Sequence, residues 1–323
     1  MKKQLDIVTF GEAMAMFIAQ ETAPLEKVNH FKRALAGAET NVAIGLARLG
    51  FNAGWVSKVG NDAFGRYICH QLKEEQVDIS RVKTDDIHPT GFQIKAKVKK
   101  GDPEVQYFRR GSAASHLNPS DINIDYLMSA NHLHMTGIPL ALSKETRSFA
   151  FEVLSIMKSA GKKVSFDPNL RPSLWRSEEE MIQVINKAAC QADWVLPGLS
   201  EGKKLTGYSD PSQIADFYLK RGSELVVIKV GAEGAYFKTK NQEKVVPGYK
   251  VEHVADTVGA GDGFAVGVIS GLLEGLSYEE AVKRGNAIGA LAVQSPGDSE
   301  GLPNRKQLGE FLKDYLKEEC FLT

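Results

Sequence analysis

Hydrophobic residues follow two main patterns along this chain: short continuous runs, which are typical of buried strands, and the helical spacing of amphipathic helices. Residues Leu5–Phe10 form a short apolar run that stops at Gly11, which predicts a buried first strand. After Gly37 the apolar residues share one helical face until Gly50, which predicts a helix between these two glycines. The same pattern predicts further strands at 51–59, 132–136, Lys163–Asp167, 194–196, 225–230 and 235–238, and helices at 64–75, 144–160, Glu178–Ala189, 201–205, 211–220, 278–294 and 306–316.

Strands that alternate with helices of this length predict an α/β fold. Its sheet would be mostly parallel and covered by helices on both faces. Ligands of such sheets bind beyond the carboxyl ends of the strands. We therefore expect one α/β domain, spanning residues 1–323, with its site at that edge.

Residues 91–99 interrupt this rhythm. Apolar and polar residues alternate there with a period of two, which predicts a half-exposed antiparallel strand. Residues 101–103 (G-D-P) predict a turn, and 105–109 alternate again. A hairpin of this kind does not fit a sheet buried on both faces. We expect it to form a small β-sheet lid, built from about 13–35 and 88–112.

Composition narrows the class of protein. The chain has 323 residues, 43% of them hydrophobic and 25% charged, and its 40 basic residues balance its 40 acidic ones. Nucleic-acid-binding proteins carry a basic surface instead, so we expect no nucleic-acid partner. No apolar run approaches the roughly 18–20 residues of a membrane span, and residues 1–10 resemble neither a signal nor a transit peptide. We therefore expect no membrane partner. Cys69, Cys190 and Cys320 form no C-x-x-C pair, which favours reduced thiols and a cytoplasmic location.

The densest candidate chemistry lies in residues 256–271, which read D-T-V-G-A-G-D-G-F-A-V-G-V-I-S-G. Gly259, Gly261 and Gly263 surround Asp262, and a small-residue helix pattern follows. A helix that begins here would direct free N–H groups and the positive end of its dipole at whatever lies above the loop. This predicts an anion site with one carboxylate in its mouth. On these residues alone, a glycine-rich turn with Asp262 as a capping acid is equally open.

Other nucleotide and metal motifs are missing from the sequence. It contains no G-x-x-x-x-G-K-[ST], no G-x-G-x-x-G after the first strand and no H-E-x-x-H. These absences argue against a P-loop, a nicotinamide or flavin site and a zinc protease. His132 and His134 would share one face of a strand, and among apolar neighbours we interpret them as core residues.

Two stretches far apart in the chain carry a family resemblance. G-A-E-T-N-V-A from Gly37, followed by Gly50 and Gly60, resembles the first signature of the ribokinase (PfkB) sugar kinases, and residues 256–269 resemble the second. The resemblance covers essentially the whole chain. It implies a three-layer ribokinase-like α/β fold with a β-sheet lid, and transfer of the ATP γ-phosphoryl group to a sugar hydroxyl.

The resemblance also implies roles for individual residues. Asp262 would accept the proton of the attacking hydroxyl, while the backbone N–H groups of residues 259–262 would hold the transferring phosphoryl. Nucleotide-binding positions implied by the motifs are Lys229, Gly231, Gly234, Gly259, Ala260, Gly261 and Asn286. A plain hairpin turn is the alternative for Gly231 and Gly234. Mg²⁺ is implied through water on Glu201, because Gly198 stands where relatives have Asn, and a monovalent cation such as K⁺ is a further implied cofactor.

The substrate is implied by three further stretches. Residues 107–115 (Y-F-R-R-G-S-A-A-S) and 294–303 resemble 2-keto-3-deoxygluconate kinases, whereas 165–175 fits those kinases and fructokinases alike. A guanidinium suits the carboxylate of a sugar acid, and the implied substrate residues are Gly37, Asn41, Gln93, Tyr107, Arg109, Arg171, Asp262 and Asp298. At Gln93 relatives often carry tyrosine. The alternatives are a solvated hairpin charge for Arg109 and an ion pair with Asp167 for Arg171.

The expected function is ATP-dependent phosphorylation of 2-dehydro-3-deoxy-D-gluconate at its 6-hydroxyl. Fructokinase and 5-dehydro-2-deoxygluconokinase remain as alternatives with the same catalytic centre. A non-catalytic sugar sensor is an alternative of another class, although Gly259 to Asp262 is intact. The exposed edges of a β-sheet lid also favour homo-oligomers that associate through it.

Overall fold

Strands and helices alternate along most of the chain in the computed structural model, which describes residues 4–98 and 103–322 and side chains as far as residue 315. The strands are β1 (Leu5–Phe10), β2 (Met14–Ala19), β3 (Phe31–Ala36), β4 (Ala53–Gly60), β5 (Asp78–Asp85), β6 (Phe92–Lys95), β7 (Val105–Phe108), β8 (Ala130–Thr136), β9 (Lys163–Asp167), β10 (Trp194–Val195), β11 (Leu225–Lys229), β12 (Gly234–Lys238) and β13 (Glu243–Pro247). The helices are α1 (Ala38–Arg48), α2 (Ala63–Glu74), α3 (Ile124–Met128), α4 (Ile138–Leu142), α5 (Lys144–Ser159), α6 (Glu178–Ala189), α7 (Leu199–Thr206), α8 (Pro211–Leu219), α9 (Ala260–Leu273), α10 (Tyr278–Ala292) and α11 (Arg305–Leu322).

The main sheet confirms the predicted fold class. Within the described residues it has nine strands in the order β13-β12-β11-β10-β9-β8-β1-β4-β5. The strands from β11 to β5 pair in parallel, and β12 and β13 add an antiparallel edge. The carboxyl ends of β1, β8, β9 and β11 therefore meet at one edge of the sheet.

Hydrophobic layers cover both faces of the sheet. On one face the core includes Val42 of α1, Ile269 of α9 and Ile288 of α10, and on the other it includes Phe149 of α5 and Ile185 of α6. Strand β11 contributes to both layers, because successive side chains of a strand point to opposite faces. This explains its continuous apolar sequence and gives the molecule three layers.

A second, four-stranded sheet has the order β3-β2-β6-β7 and matches the predicted lid segments in position. Strands β6 and β7 form the expected antiparallel hairpin, and β6 also pairs in parallel with β2. The polar face of β6 points inward, since Gln93 is 5% and Lys95 3% exposed. On the outer face Phe92 stacks on Phe108, which is 46% exposed.

Several boundaries differ from the predictions. The predicted strand 91–99 ends at Lys95 in the structure, and residues 99–102, with most of the predicted turn, lie outside the described residues. The last predicted helix continues beyond residue 316 to Leu322. Strands β5 and β13 were not predicted, because both lie at sheet edges where charged residues interrupt the apolar pattern. Among the described helices, none is long and apolar enough to cross a membrane.

Candidate active site

The N-terminus of α9 lies at the carboxyl edge of the main sheet. Its N-cap, Gly259, has φ of 82°, and a Cβ at this position would lie 2.2 Å from the carbonyl oxygen of Asp298. Only glycine fits such a backbone and such a close neighbour without strain. The first-turn N–H groups that follow have no acceptor within the helix, and Gly259, Gly261 and Asp262 line a cavity of about 340 Å³. This geometry fits the predicted anion site better than a turn that only begins a helix.

Asp262 sits in the first turn of α9 and faces this cavity. Asn41, in the first turn of α1, donates a 2.8 Å hydrogen bond from Nδ2 to Asp262 Oδ2. Burial raises the pKa of Asp262 to about 6, opposed by the Asn41 hydrogen bond, while the nearby Asp167 carboxylate raises it further. A carboxylate of this kind can take up a proton near neutral pH.

Lys229 and Asp167 form an ion pair of 2.6 Å between the ends of β11 and β9. Burial acts to lower the pKa of Lys229, but the Asp167 and Glu201 carboxylates outweigh it, and the pKa is raised. The side chain therefore stays a cation beside Gly261. Because Asp167 pairs with Lys229, the alternative that Arg171 pairs with Asp167 is wrong; Arg171 donates from Nη1 to the Leu170 carbonyl over 2.9 Å.

All the predicted substrate residues line the same cavity as Asp262. They come from the β3–α1 junction, the small sheet, the loop after β9, α9 and the loop after α10, and they are Gly37, Asn41, Gln93, Tyr107, Arg109, Arg171, Asp262 and Asp298. The structure thus brings together residues spread over most of the chain. Gln93 is less available than expected, because its Nε2 donates to the Met16 sulfur over 3.1 Å.

Arg109 is neither solvated nor unpaired. It is 8% exposed, and its Nε and Nη2 donate to Glu12 Oε2 over 2.6 and 2.5 Å. Glu12 also accepts a hydrogen bond from the Ser112 hydroxyl. The sequence reasoning missed Glu12, although its place directly after β1, at the carboxyl edge of the sheet, is a usable signal.

Asp298 is 8% exposed, and its Oδ1 has no hydrogen-bond partner among the described residues. Burial raises its pKa to about 7, opposed by the Lys95 ammonium, and Asp262, Asp256 and Glu300 raise it further. The sequence reasoning missed Lys95. The signal was its period-two position on the face of β6 that carries Gln93.

A second cavity, of about 810 Å³, lies on the other side of the α9 N-terminus. Six of the predicted nucleotide residues line it, namely Lys229, Gly231, Gly234, Ala260, Gly261 and Asn286, whereas Gly259 lines the first cavity. Asn286 donates from Nδ2 to the Val246 and Pro247 carbonyls over 3.1 and 2.9 Å, so this amide nitrogen fixes the end of β13. Lys229, Thr257 and Gly261 line both cavities.

Both carboxylate oxygens of Glu201 accept hydrogen bonds from backbone N–H groups. Oε1 accepts from the Leu170 N–H and Oε2 from the Gly198 N–H, both over 2.8 Å. No cluster of three His, Cys, Asp or Glu side chains suited to a metal ion occurs in the described parts of the chain. A metal ion bound directly by several carboxylates does not fit these residues.

His132 and His134 are core residues, as interpreted from the sequence. Both are fully buried and bond to the Ser165 hydroxyl over 2.8 and 2.9 Å. Burial lowers the pKa of each to about 3, so both imidazoles are neutral. Cys69 and Cys190 are free thiols, and the side chain of Cys320 lies outside the described residues.

The chain is similar to known proteins over most of its length. Residues 4–305 match the pfkB family of carbohydrate kinases. The 2-dehydro-3-deoxygluconokinase of Bacillus subtilis (strain 168) is 57% identical over 96% of both chains. A PfkB protein from Polaromonas sp. JS666 is 51% identical, with a TM-score of 0.88 over 94% of this chain and 99% of the other. An E. coli structure in complex with ATP and Mg²⁺ is 26% identical, with a TM-score of 0.89 over 96% of this chain and 99% of the other.

Proposed function

The chain belongs to the pfkB family of carbohydrate kinases, and from this membership we propose that it transfers the γ-phosphoryl group of ATP to the 6-hydroxyl of 2-dehydro-3-deoxy-D-gluconate. The observation that carries the proposal is the meeting of two cavities at the N-terminus of α9, where Lys229, Thr257 and Gly261 line both. One cavity is rich in charged and polar residues and contains Asp262; the other is larger and bordered by glycines. The 57% identical Bacillus subtilis kinase supports the choice of sugar acid.

Asp262 is the proposed general base. The hydroxyl oxygen forms a bond to the γ-phosphorus, the bond from that phosphorus to the ADP oxygen breaks, and the hydroxyl proton passes to Asp262. The raised pKa of Asp262, about 6, lets it accept this proton and still be ionised at neutral pH. The N–H groups of Gly259, Ala260, Gly261 and Asp262 stabilise the charge that spreads over the phosphoryl oxygens.

Cations and hydrogen-bonding groups around the first cavity support a sugar-acid substrate. Arg171 has no carboxylate within ion-pair distance among the described residues, so its guanidinium is available to the carboxylate of the substrate. Arg109 adds a second guanidinium whose position Glu12 fixes. Asn41 and Asp298 offer oxygens to hydroxyl groups, with Gly37 allowing close approach and Gln93 and Tyr107 completing the wall.

The second cavity is the proposed nucleotide site. Gly231 and Gly234 leave room for the nucleotide beside Lys229, and Asn286 closes the wall. When it is bound, Mg²⁺ would neutralise part of the negative charge of the phosphates. Since both oxygens of Glu201 accept backbone N–H groups, this residue would hold it only through water. A monovalent cation such as K⁺ is part of the proposal, tested by replacing K⁺ with tetramethylammonium in the assay.

The four-stranded sheet is the proposed lid of a single domain, with its strands inserted from about 13–35 and 88–112. Strands β3 and β7 are its edges, and Phe108 exposes an aromatic ring on the outer face. These features support self-association through the lid of a cytoplasmic enzyme. Light scattering of the wild type and of Phe108→Glu tests this, and a monomer in both would contradict it.

The function is tested with a panel of sugars in an assay that detects ADP release. We expect kcat/KM to be highest for 2-dehydro-3-deoxy-D-gluconate, above fructose and 5-dehydro-2-deoxygluconate, and phosphorus NMR of the product to show a 6-phosphate. A higher kcat/KM for fructose would replace the proposal with a fructokinase. Binding of sugars with no ADP release from any of them would favour the sugar sensor.

A further inference from the structure

Lys95 joins the small sheet to two loops that border the anion site. Its side chain is 4% exposed, and its ammonium group forms an ion pair with Asp256, in the loop before α9. The same nitrogen lies 4.0 Å from Asp298 Oδ1, in the loop after α10. Three segments that are distant in sequence thus meet at one buried cation.

Each of the two acids is tied to Gly259, the N-cap of α9. Asp256 Oδ1 accepts the N–H of Val258 over 3.1 Å, which shapes the turn directly before this glycine. The carbonyl of Asp298 packs against Gly259, and a Cβ there would lie 2.2 Å from this oxygen. Both acids therefore border the turn from which α9 begins.

The position of Lys95 follows from the pairing of the small sheet. Gln93 and Lys95 alternate with Phe92 and Ile94 along β6, so their side chains share the face that lines the first cavity. Lys97 continues this sequence beyond the end of the strand, but it is exposed and donates to the Gln20 carbonyl over 3.2 Å. The two lysines differ in burial and in partner, which makes Lys97 a matched control.

Buried carboxylates need a cation nearby. The charged groups that face Asp298 are Lys95, Asp262, Asp256 and Glu300, and Lys95 alone among these four is positive. Without it, Asp298 would face only other carboxylates, and its pKa would rise further. The Lys95 ammonium therefore keeps Asp298 an acceptor for a hydroxyl of the sugar.

We propose that Lys95 is a positioning residue for phosphoryl transfer, which holds the small sheet against Asp256 and Asp298 and so aligns the sugar site with the N-terminus of α9. This role rests on the proposed function, because it assumes that the first cavity holds the sugar. Lys95 itself contacts neither reacting atom. It acts through the two acids.

The test compares Lys95→Met with Lys97→Met in the full-length protein, using the panel sugar that the wild type phosphorylates fastest. Removing the buried cation should raise KM for the sugar by about 10-fold or more, the cost of losing one charge-assisted hydrogen bond between Asp298 and a sugar hydroxyl. KM for ATP should change by less than about twofold, because Lys95 does not line the nucleotide cavity. Lys97→Met should resemble the wild type.

A second variant separates positioning from stability. Lys95→Met/Asp256→Asn removes one charge of each sign, so its thermal midpoint should recover while KM for the sugar stays raised. Hydrogen exchange adds a readout without turnover: the amides of residues 92–95 and 105–108 should exchange faster in both Lys95 variants than in Lys97→Met. Wild-type KM and exchange in Lys95→Met, or recovery of both in the double variant, would overturn the proposal. A different preferred sugar would change the proposed function alone.

Discussion

Asn41 Nδ2 and Asp262 Oδ2 are joined by a 2.8 Å hydrogen bond across 221 positions of sequence. The bond connects the first turns of α1 and α9, which carry the two stretches that resemble the family signatures. It orients the carboxylate toward the cavity and favours its ionised form. The two signatures therefore supply the two partners of one contact in the proposed catalytic centre.

Asp262→Asn should lower kcat by roughly 10²–10⁴-fold, the usual contribution of a positioned base. The amide keeps the size of the side chain but cannot take up the hydroxyl proton. Nucleotide affinity by calorimetry and the thermal midpoint should stay near wild type, since Asp262 does not line the second cavity. Near-normal turnover in this variant would remove Asp262 from the mechanism.

The pH dependence of kcat/KM should reflect the ionisation of two acidic side chains. Asp262 acts as a base, and Asp298 binds the sugar hydroxyl most strongly, when each is deprotonated, so kcat/KM should fall as the pH drops through about 7, for Asp298, and about 6, for Asp262. Below both pKa values, log kcat/KM should fall with a slope approaching 2 per pH unit, one proton for each acid. Asp298→Asn should reduce the slope to about 1, with one break near the pKa of Asp262, about 6. An unchanged slope in Asp298→Asn would contradict the role of Asp298.

Arg171→Leu should separate sugar acids from neutral sugars. Loss of a charge-assisted contact with the carboxylate should raise KM for the sugar acid by roughly 10–100-fold. Any activity with fructose should change little, because fructose has no carboxylate. Arg176→Leu, at an exposed arginine nearby, is the control. Equal losses of kcat/KM for both sugars would show that Arg171 does not bind the carboxylate of the substrate.

Arg109→Met should cost stability as well as activity. Its guanidinium is the buried partner of Glu12, and removing one member of a buried ion pair costs about 3–5 kcal/mol. Urea unfolding should show this loss, with most of it recovered in Arg109→Met/Glu12→Gln. Arg110→Met changes an exposed neighbour and should be near neutral. Full stability in the single variant would mean that the pair contributes nothing to the fold.

Two glycines of the anion site should respond differently to alanine. Gly259→Ala meets both an unfavourable φ of 82° and the Asp298 carbonyl, so it should lower the thermal midpoint and turnover together. At Gly261 a Cβ would lie 3.6 Å from Lys229 Nζ, an ordinary contact, so the fold should tolerate it. That Cβ points toward the space shared by both cavities, and Gly261→Ala should lose turnover without losing stability. Comparable thermal midpoints for the two variants would contradict the geometry at Gly259.

The predictions from sequence were most accurate for helices and strands whose bounds depend on local signals. Lys163–Asp167 and Glu178–Ala189 match their predicted bounds, because apolar period and capping are local signals. Gly259, Gly261 and all the predicted substrate residues also meet at one cavity. These positions sit at strand ends or helix starts, which the α/β rhythm already places at one edge.

Partners across the small sheet could not be predicted. The pairs Glu12–Arg109 and Lys95–Asp256 depend on how β6 pairs with β2 and with β7, and no local pattern fixes that pairing. The burial of Lys95 is also unexpected from sequence, because charged residues that alternate along a strand are typical of a solvent face. The structure explains it by two acids from distant loops.

The two cavities share Lys229, Thr257 and Gly261, and this arrangement has a stereochemical consequence for the proposed reaction. Sugar and nucleotide can be bound at the same time on opposite sides of the α9 N-terminus. The phosphoryl group can then pass directly from ATP to the sugar, without a covalent intermediate on an enzyme side chain. A single displacement inverts the configuration at phosphorus, whereas a phosphoenzyme route would retain it through two inversions. With ATP made chiral at its γ-phosphorus, the phosphate group of the product should have the inverted configuration at phosphorus.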